Sequence, residues 1–362
     1  MILKKITILK FKNVENFEEE FSSKINCFIG NNGVGKTNIL DAIHYLAFTK
    51  SFFNISDQIS IKHGEKFFAI HGEFDNNLDI DKVSCILELN KNKKVIFNDK
   101  KYQKLSDHIG KIPLIMISPY DRDLINLGSD IRRKFADMII SQFDAKYLNS
   151  LISYNKLIQQ RNKLLKQLFE QSSKDTSIIK LFDNQLADYG DSIFNKRKEF
   201  LDEFTPIFKH YYKMLSSGNE TVNLKYESQL TEDNLLNLLN NSIERDLILK
   251  YTSNGIHKDD ILFFINDFNA KNYASQGQQK TYTIALKLAQ FEYIKEKSKK
   301  TPILLLDDIF DKLDLHRATN IIKLVSTGDF GQVFITDTST NRLSNLFKEL
   351  NLTNSTKIFY IK

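Results

Sequence analysis

Hydrophobic and polar residues alternate over LKKITILKFKN (3–13), and this period of two residues predicts a β-strand. The next apolar run, INCFI (25–29), is short and predicts a buried strand that leads into a loop. After Thr37, NILDAIHYLAF (38–48) places its apolar residues at helical spacing. The first fifty residues therefore predict two strands, a loop and a helix.

Strand patterns continue up to residue 118, in KFFAIHGEF, SCILELNKN, KKVIFN and KIPLIMIS. Over 119–217 the pattern changes to two long helical segments with few helix breakers. They predict antiparallel helices hinged near SSKDTS (172–177). Strand patterns return in TVNLKY and around LILKYTSNGIHKDDILFFIND. A long helix, the apolar run PILLLDD and an αβ-type end then complete the chain.

These patterns predict an α/β head that is split in sequence by an inserted helical arm, or second lobe. Residues 1–118 form its first part, 119–217 the arm, and 218–362 its second part. Because glycine (13) and proline (4) are scarce in the 362 residues, disordered linkers are not expected.

Composition limits the classes of protein only loosely. The formal charge of +6, from 51 basic and 45 acidic residues, permits nucleic-acid binding but equally fits a well-solvated surface. Cys27 and Cys85 lack metal-ligand spacing and are expected to be buried free thiols. No stretch reaches the roughly 18 apolar residues of a membrane span. We therefore expect a soluble, cytoplasmic protein without a membrane partner.

The loop between the second strand and the first helix carries the first chemical signal. Its sequence fits the phosphate-binding pattern G-x-x-x-x-G-K-[ST]. Glycines let successive N–H groups point at phosphate oxygens, and the following helix adds its positive end. Lys36 would reach the β- and γ-phosphates of a nucleotide, and the Thr37 hydroxyl would hold Mg²⁺, although the pattern leaves open which nucleoside triphosphate is bound. The eight residues are Gly30, Asn31, Asn32, Gly33, Val34, Gly35, Lys36 and Thr37.

A second signal is PILLLDD, in which an apolar run ends in Asp307 and Asp308. The run predicts a buried parallel strand that neighbours the strand before the loop, with Asp307 beside Mg²⁺. Asp308 would then position or deprotonate the attacking water. By itself such an ending is also an ordinary acidic turn after a buried strand.

The third signal is Tyr273-Ala274-Ser275-Gln276-Gly277-Gln278-Gln279-Lys280 at the start of a long helix. The N-terminus of this helix would make a second anion-binding site. The alternative is a purely structural role as a helix cap, with Ser275 as N-cap and Gln278 three positions later.

Together, GNNGVGKTN, SQGQQK and ILLLDD resemble the motifs of ABC-type ATPase heads, and within that group the bacterial RecF family of recombinational repair. Two further stretches carry the resemblance, which follows the whole chain in order. They are Pro119-Tyr120-Asp121 continuing to Gly128 and to Arg132-Arg133-Lys134-Phe135-Ala136-Asp137, and Gly255 to Asp260. The chain departs from the family's usual Pro-His-Arg at Ile256-His257-Lys258, and from its usual Arg at Lys280.

The resemblance implies a head-to-tail homodimer that encloses two ATP molecules. In such dimers Ser275 and the Gly277 N–H would contact the ATP held by Lys36 of the second copy, with Gln278 as a further nucleotide contact. It also implies that Leu313-Asp314 lies at the dimer seam, with Asp260 and His257 near it, although a purely structural role for His257 stays open. Thr336 occupies the region where many ABC ATPases carry a histidine, which argues against fast turnover. We therefore expect at most a weak, DNA-stimulated ATPase.

The resemblance further implies binding to gapped or single-stranded DNA, recombinase loading, a role in the SOS response and a RecR-type partner. Candidate contacts to DNA phosphates are Lys50, Arg132, Arg133 and Lys134. For both arginines, pairing with acidic residues across the arm is the alternative. The lysine runs at 91–94 and 295–300 fit solvated faces.

Three other functions share some of these motifs. A transporter ATPase subunit would place its helical insert immediately before Ser275, whereas strands intervene here. A chromosome-organising ATPase with long coiled coils would need more residues between Thr37 and Ser275. A clamp that binds ATP without hydrolysing it is a further alternative, although Asp308 argues against it. An ABC-type subunit of another soluble complex is also an alternative.

Overall fold

The computed structural model describes residues 1–53, 56–76, 78–171, 175–216, 220–309, 315–327, 330–338, 347, 350, 352 and 355–361. The chain forms two compact units, and the first unit contains 1–121 and 290–362. The second unit contains 122–289. The predicted dimer-seam residues Leu313-Asp314 and the start of the predicted hinge, 172–174, lie outside the described residues.

A five-stranded parallel sheet lies in the first unit. Its interior strands are short and apolar, so that both faces are buried, as parallel sheets require. The strands are β3 (Ile25–Ile29), β8 (Leu114–Ile117), β12 (Ile303–Leu306), β13 (Val333–Asp337) and β14 (Thr356–Tyr360), in the order β14-β3-β13-β12-β8. The predicted strands in these regions are confirmed.

The same unit contains an antiparallel sheet of six strands. They are β1 (Ile2–Phe11), β2 (Val14–Glu20), β4 (Phe67–Asp75), β5 (Ile80–Glu88), β6 (Lys94–Phe97) and β7 (Lys100–Lys101), in the order β2-β1-β4-β5-β6-β7. The helix α1 (Lys36–Phe48) contacts strands of both sheets, and nearly all of its residues are buried. This unit also includes α9 (Leu315–Thr327).

Cys27 on β3 and Cys85 on β5 are buried free thiols, as predicted. Among the described residues, no helix combines the length and apolar character needed to cross a bilayer.

The second unit is built on long helices. They are α2 (Asp123–Asn126), α3 (Ser129–Ser141), α4 (Ala145–Glu170), α5 (Ser177–Leu215) and α6 (Leu235–Leu249). The first predicted helical segment is divided between α3 and α4, because the Asp144 side chain accepts a hydrogen bond from the Tyr147 N–H and caps a new helix.

A small antiparallel sheet completes the second unit. Its strands are β9 (Val222–Glu227), β10 (Asp260–Ile265) and β11 (Phe268–Asn269), and they precede α7 (Ala270–Tyr273) and α8 (Gln276–Ser298). LILK (247–250), predicted as part of a strand region, is instead the end of α6 and its left-handed cap Lys250. Its apolar spacing continues the helical pattern that begins at Leu235.

The compact units divide the chain at other positions than the predicted domain boundaries at 118 and 217. The small sheet and α6 pack against α4 and α5, so that the second unit extends to residue 289. The boundaries of the head and the arm stay a prediction.

Two fully buried arginines join the helices of the second unit. Arg161 on α4 donates from Nε to Asp183 Oδ1 at 2.6 Å and from Nη1 to Asp246 Oδ2 at 2.6 Å. Arg197 on α5 forms two hydrogen bonds with Asp137, at 2.9 and 3.0 Å. Removing one partner of such a buried pair leaves the other charge uncompensated, at a cost of about 3–5 kcal/mol. These pairs therefore specify how the helices dock.

His257 belongs to the same buried framework. Its Nδ1 lies 2.9 Å from the Tyr154 hydroxyl, and its Nε2 lies 3.1 Å from the Thr252 carbonyl oxygen. A neutral ring that donates from Nε2 and accepts at Nδ1 satisfies both contacts. This geometry supports the structural role left open for His257.

We predict that His257 makes the second unit sensitive to acid. Burial lowers the pKa of His257 to about 4 from the usual value near 6.5. Between these two values the unfolded chain binds a proton that the folded chain does not, so stability falls as the pH falls from 6.5 to 4. At pH 5 the loss relative to neutral pH should be about 1–2 kcal/mol.

Urea unfolding at pH 7.5 and pH 5 would measure this loss in the native chain and in His257→Gln. The variant should lose less stability between the two pH values. His210→Gln, which changes an exposed histidine of the same unit, is the matched control. An identical pH dependence in His257→Gln and the native chain would contradict the prediction.

Candidate functional site

The loop between β3 and α1 has the backbone that phosphate binding requires. Gly35 has φ 111°, and a Cβ built on it would lie 2.8 Å from Asn13 Oδ1. Gly30 has no room for a side chain either, because its Cβ would lie 2.4 Å from the Ile361 carbonyl oxygen. Glycine is the residue that tolerates both constraints. The predicted strand–loop–helix context is confirmed.

Lys36 is buried inside this loop. Its Nζ donates to the carbonyl oxygens of Gly30, at 2.7 Å, and of Asn31, at 2.8 Å. Burial lowers the pKa of the Lys36 ammonium, while the nearby carboxylates of Asp308, Asp307 and Asp337 raise it. A desolvated ammonium in a loop of backbone groups is a strong site for an anion.

A hydrogen bond connects the loop to PILLLDD. The Thr37 hydroxyl donates to Asp307 Oδ1 at 2.8 Å, and the Thr336 hydroxyl donates to the same oxygen at 2.8 Å. Burial raises the pKa of Asp307, while the two hydroxyl donors lower it. The structure thus brings together Lys36, Thr37, Asp307 and Asp308, as predicted.

The predicted strand order was wrong in one detail. The strand that leads to Asp307, β12, does not neighbour β3. Strand β13 lies between β3 and β12, with Asp337 opposite Ile29 and Leu306 opposite Ile335. The intervening strand brings Thr336 and Asp337 into the site. Sequence reasoning did not assign either a contact, because strand order cannot be read from the apolar pattern.

Asp308 has an unusual backbone conformation. Its φ of 45° lies in the left-handed region, which few residues other than glycine adopt, and its N–H donates to Thr336 Oγ1 at 2.9 Å. Such conformations concentrate at functional sites. The contact fixes the backbone from which the Asp308 carboxylate extends, beside Lys36.

Asn13 is a second residue that the sequence did not reveal. It lies in the turn between β1 and β2, and its Nδ2 donates to the Gly33 carbonyl oxygen at 3.0 Å. The Asn38 side chain donates to Asn13 Oδ1 at 2.7 Å. A cleft of about 750 Å³ adjoins the loop here, with Asn13, Val34 and Tyr360 in its lining. Its size falls in the range of small-molecule sites.

The residues present fit a magnesium ion that is bound together with a nucleotide. The Thr37 hydroxyl and the Asp307 carboxylate are the oxygen ligands that this ion prefers. Among the described residues, no three His, Cys, Asp or Glu side chains cluster as a metal site of their own. Mg²⁺ would therefore take its remaining ligands from phosphate oxygens and water.

The third predicted segment begins α8 in the second unit. The Ser275 N–H donates to Gln278 Oε1 at 2.7 Å, and the Gln278 N–H donates to Ser275 Oγ at 3.3 Å. This reciprocal pair is the helix cap considered above. Ser275, Gln276 and Gly277 are nevertheless exposed, whereas the Gln278 side chain also donates to Glu220 Oε1 at 2.7 Å. A nucleotide contact by the Gln278 side chain would have to replace that bond.

The predicted DNA contacts divide into two groups. Lys50 in the first unit and Lys134 in the second are exposed, and Lys134 lies 3.4 Å from Asp130. Arg132 is buried and donates to both oxygens of Asp260, at 2.7 and 2.8 Å. Arg133 donates to Ser129 Oγ and to the Asp259 carbonyl oxygen. Arg132 thus pairs with an acidic residue, as in the alternative, although Asp260 lies outside the predicted arm, whereas the contacts of Arg133 go to a hydroxyl and a backbone carbonyl.

Comparison with known proteins places the chain in a family. The family model described as RecF/RecN/SMC N terminal domain matches residues 2–358. The chain is 49% identical over 353 residues to the DNA replication and repair protein RecF of Flavobacterium johnsoniae, covering 98% of each.

Solved structures agree with this match. The recombination mediator protein RecF-ATP in the RecFOR pathway is 31% identical, with a TM-score of 0.88 and 94% and 92% of the two chains covered. A head of the Smc protein, bound to the C-winged helix domain of ScpA, is 15% identical, with a TM-score of 0.56 and 95% and 92% covered, and supports the fold alone. The fold is the α/β ABC-type ATPase head, and the chain belongs to the RecF family.

Proposed function

We propose that this chain is an ATP-dependent DNA-binding protein of recombinational repair and replication. The observation that carries the proposal is the grouping of Lys36, Thr37, Asp307 and Asp308 around one phosphate-binding loop in a chain of the RecF family. Relatives named DNA replication and repair protein RecF, and solved structures of RecF-ATP in the RecFOR pathway, support the same role.

The contacts of the loop support a division of labour in ATP binding. Lys36 would exchange its two carbonyl partners for the β- and γ-phosphate oxygens, and the loop N–H groups would bind the remaining phosphate oxygens. Thr37 and Asp307 would hold Mg²⁺, which neutralises phosphate charge when bound. Asp308 would orient the attacking water and accept its proton.

Two copies would act together on each nucleotide. Ser275 and Gly277 are exposed at the positive end of α8, where their N–H groups and hydroxyl suit a phosphate. In a head-to-tail dimer they would contact the γ-phosphate held by Lys36 of the second copy. The γ-phosphate then joins the two copies until hydrolysis removes it, after which the dimer opens.

The dimer would serve as an ATP-controlled mark on DNA. The exposed Lys50 and Lys134 would contact phosphates of gapped or single-stranded DNA. A marked gap would then recruit a RecR-type mediator and recombinase, which in turn supports the SOS response. The proposed site of action is the cytoplasm.

A clamp that binds ATP without hydrolysing it is the second candidate. Thr336 favours it, because many ABC ATPases carry a histidine in this region. The Thr336 hydroxyl instead donates to Asp307 and accepts from the Asp308 N–H. Both candidates share the dimer and differ in the role of Asp308.

We predict that Ser275→Arg leaves ATP binding intact and abolishes the ATP-dependent dimer, because the arginine occupies the surface that meets the second copy. Sedimentation with a non-hydrolysable ATP analogue and Mg²⁺ measures the dimer, and a fluorescent analogue measures binding. Ser275→Ala controls for loss of the helix cap, and Lys36→Met should lose both binding and dimer. A normal dimer in Ser275→Arg would contradict a contact between Ser275 of one copy and the nucleotide of the other.

We predict that Asp308→Asn slows single-turnover ATP hydrolysis about a hundredfold or more, the usual contribution of a general base. Asparagine suits this test because it tolerates the left-handed backbone of residue 308. Asp202→Asn, at an exposed position on α5, is the control. Equal rates in Asp308→Asn and the native chain would mean that another group positions the attacking water. If the native chain does not hydrolyse ATP, the clamp is favoured.

We predict that Lys50→Ala and Lys134→Ala each weaken DNA binding and reduce its salt dependence. Each lost phosphate contact should lower the slope of log affinity against log salt by about one. Fluorescence anisotropy with a gapped duplex, over a series of salt concentrations, provides both values. Lys166→Ala is the matched control, since Lys166 is also exposed and near a carboxylate four residues away. An unchanged slope in both variants would remove these lysines from the interface.

A further inference from the structure

Two aromatic side chains lie exposed immediately before the start of α8. The exposed fraction of Phe268 is 57% and that of Tyr273 is 69%. Their ring centroids are 5.1 Å apart and the rings are inclined by 46°, so they form one apolar surface. Two exposed rings in contact with each other make a contiguous apolar patch, which is more informative than a single exposed apolar side chain.

The backbone holds this aromatic pair in a defined place. The turn between β10 and β11 uses Asn266 and Asp267, with φ values of 47° and 66°. Asn266 is fixed by two hydrogen bonds with Thr221, both 2.8 Å long. The Asn269 side chain then caps α7 by accepting from the Lys271 N–H at 2.9 Å. Phe268 and Tyr273 therefore extend from a hairpin and a capped helical turn.

The pair lies close to the proposed trans-acting residue. Tyr273 precedes Ser275 by two positions, and neighbouring Cα atoms are 3.8 Å apart, so the two Cα atoms are within about 8 Å. Any surface that covers Ser275 at a phosphate must also approach Tyr273. Continuity along the chain thus points to the same partner for both.

We propose that Phe268 and Tyr273 form an apolar anchor of the ATP-dependent interface between two copies of this chain. This proposal rests on the proposed function and adds to it the residues that provide the non-phosphate part of the contact. The receiving surface on the second copy lies next to its phosphate-binding loop, because Tyr273 is held near Ser275.

The charged residues next to the pair in sequence favour a protein surface over nucleic acid. Platforms that stack bases lie in positively charged grooves that follow the phosphate backbone. Here Asp267 and Lys271 are the exposed charged residues within 266–273, and their charges balance. Stiff aromatic side chains at the centre of a protein interface lose little entropy on burial and often dominate affinity.

The test compares dimer dissociation constants by sedimentation with a non-hydrolysable ATP analogue and Mg²⁺. Phe268→Ser/Tyr273→Ser should weaken the dimer tenfold or more, while the affinity of the monomer for a fluorescent ATP analogue and the melting temperature stay unchanged. Phe268→Tyr/Tyr273→Phe keeps both rings and should dimerise like the native chain. Ile178→Ser/Leu181→Ser is the matched control, since it removes side chains that are 54% and 66% exposed at the start of α5.

The outcomes separate this proposal from the proposed function. If Phe268→Ser/Tyr273→Ser dimerises like the native chain while Ser275→Arg does not, the aromatic anchor is refuted and the shared nucleotide stands. If the α5 control weakens the dimer equally, the effect is not specific to this surface and the anchor is again refuted. If the native chain forms no dimer with the analogue, the proposed function fails and this proposal fails with it.

Discussion

One hydrogen bond, from the Thr37 hydroxyl to the Asp307 carboxylate, connects the two parts of the chain that make the nucleotide site. Thr37 lies in the first turn of α1 and Asp307 directly follows β12, and 270 positions separate them in sequence. The parallel sheet makes the contact possible, because the carboxyl ends of its strands meet at one edge. Without it, Thr37 and Asp307 would not be held together as a pair of oxygen ligands beside the loop.

The second unit depends on charge in a different way. Arg161 and Arg197 are buried, and each reaches carboxylates from elements far apart in sequence. A guanidinium suits this role, since it keeps its charge and offers several donors in fixed directions. The same framework holds 255–260, which leads through β10 towards the exposed residues before α8. The same buried contacts therefore stabilise the second unit and hold the residues of the proposed interface in place.

Local patterns were enough to predict the loop, α1, β12 and the long helices, because glycine spacing and apolar periodicity are properties of neighbouring residues. They were not enough for Asn13, Thr336 and Asp337, whose roles arise from strand order and from a turn that approaches the loop. Strand β2 was missed because VENFEEE has few apolar residues. Arg132 resembled a surface cation in sequence, since nothing near it reveals Asp260 as its partner. Patterns in one segment do not identify a contact with a distant one.

The antiparallel pairing of α4 and α5 limits how the chain can vary in length. Tyr147 lies beside Arg197, and Arg161 lies beside Asp183, so the two contacts are about four helical turns apart on the same pair of helices. Inserting one residue between them would rotate everything beyond it by about 100° and break one of the two contacts. Insertions and deletions among relatives should therefore be rare between these contacts and concentrate towards the far end of the helical pair.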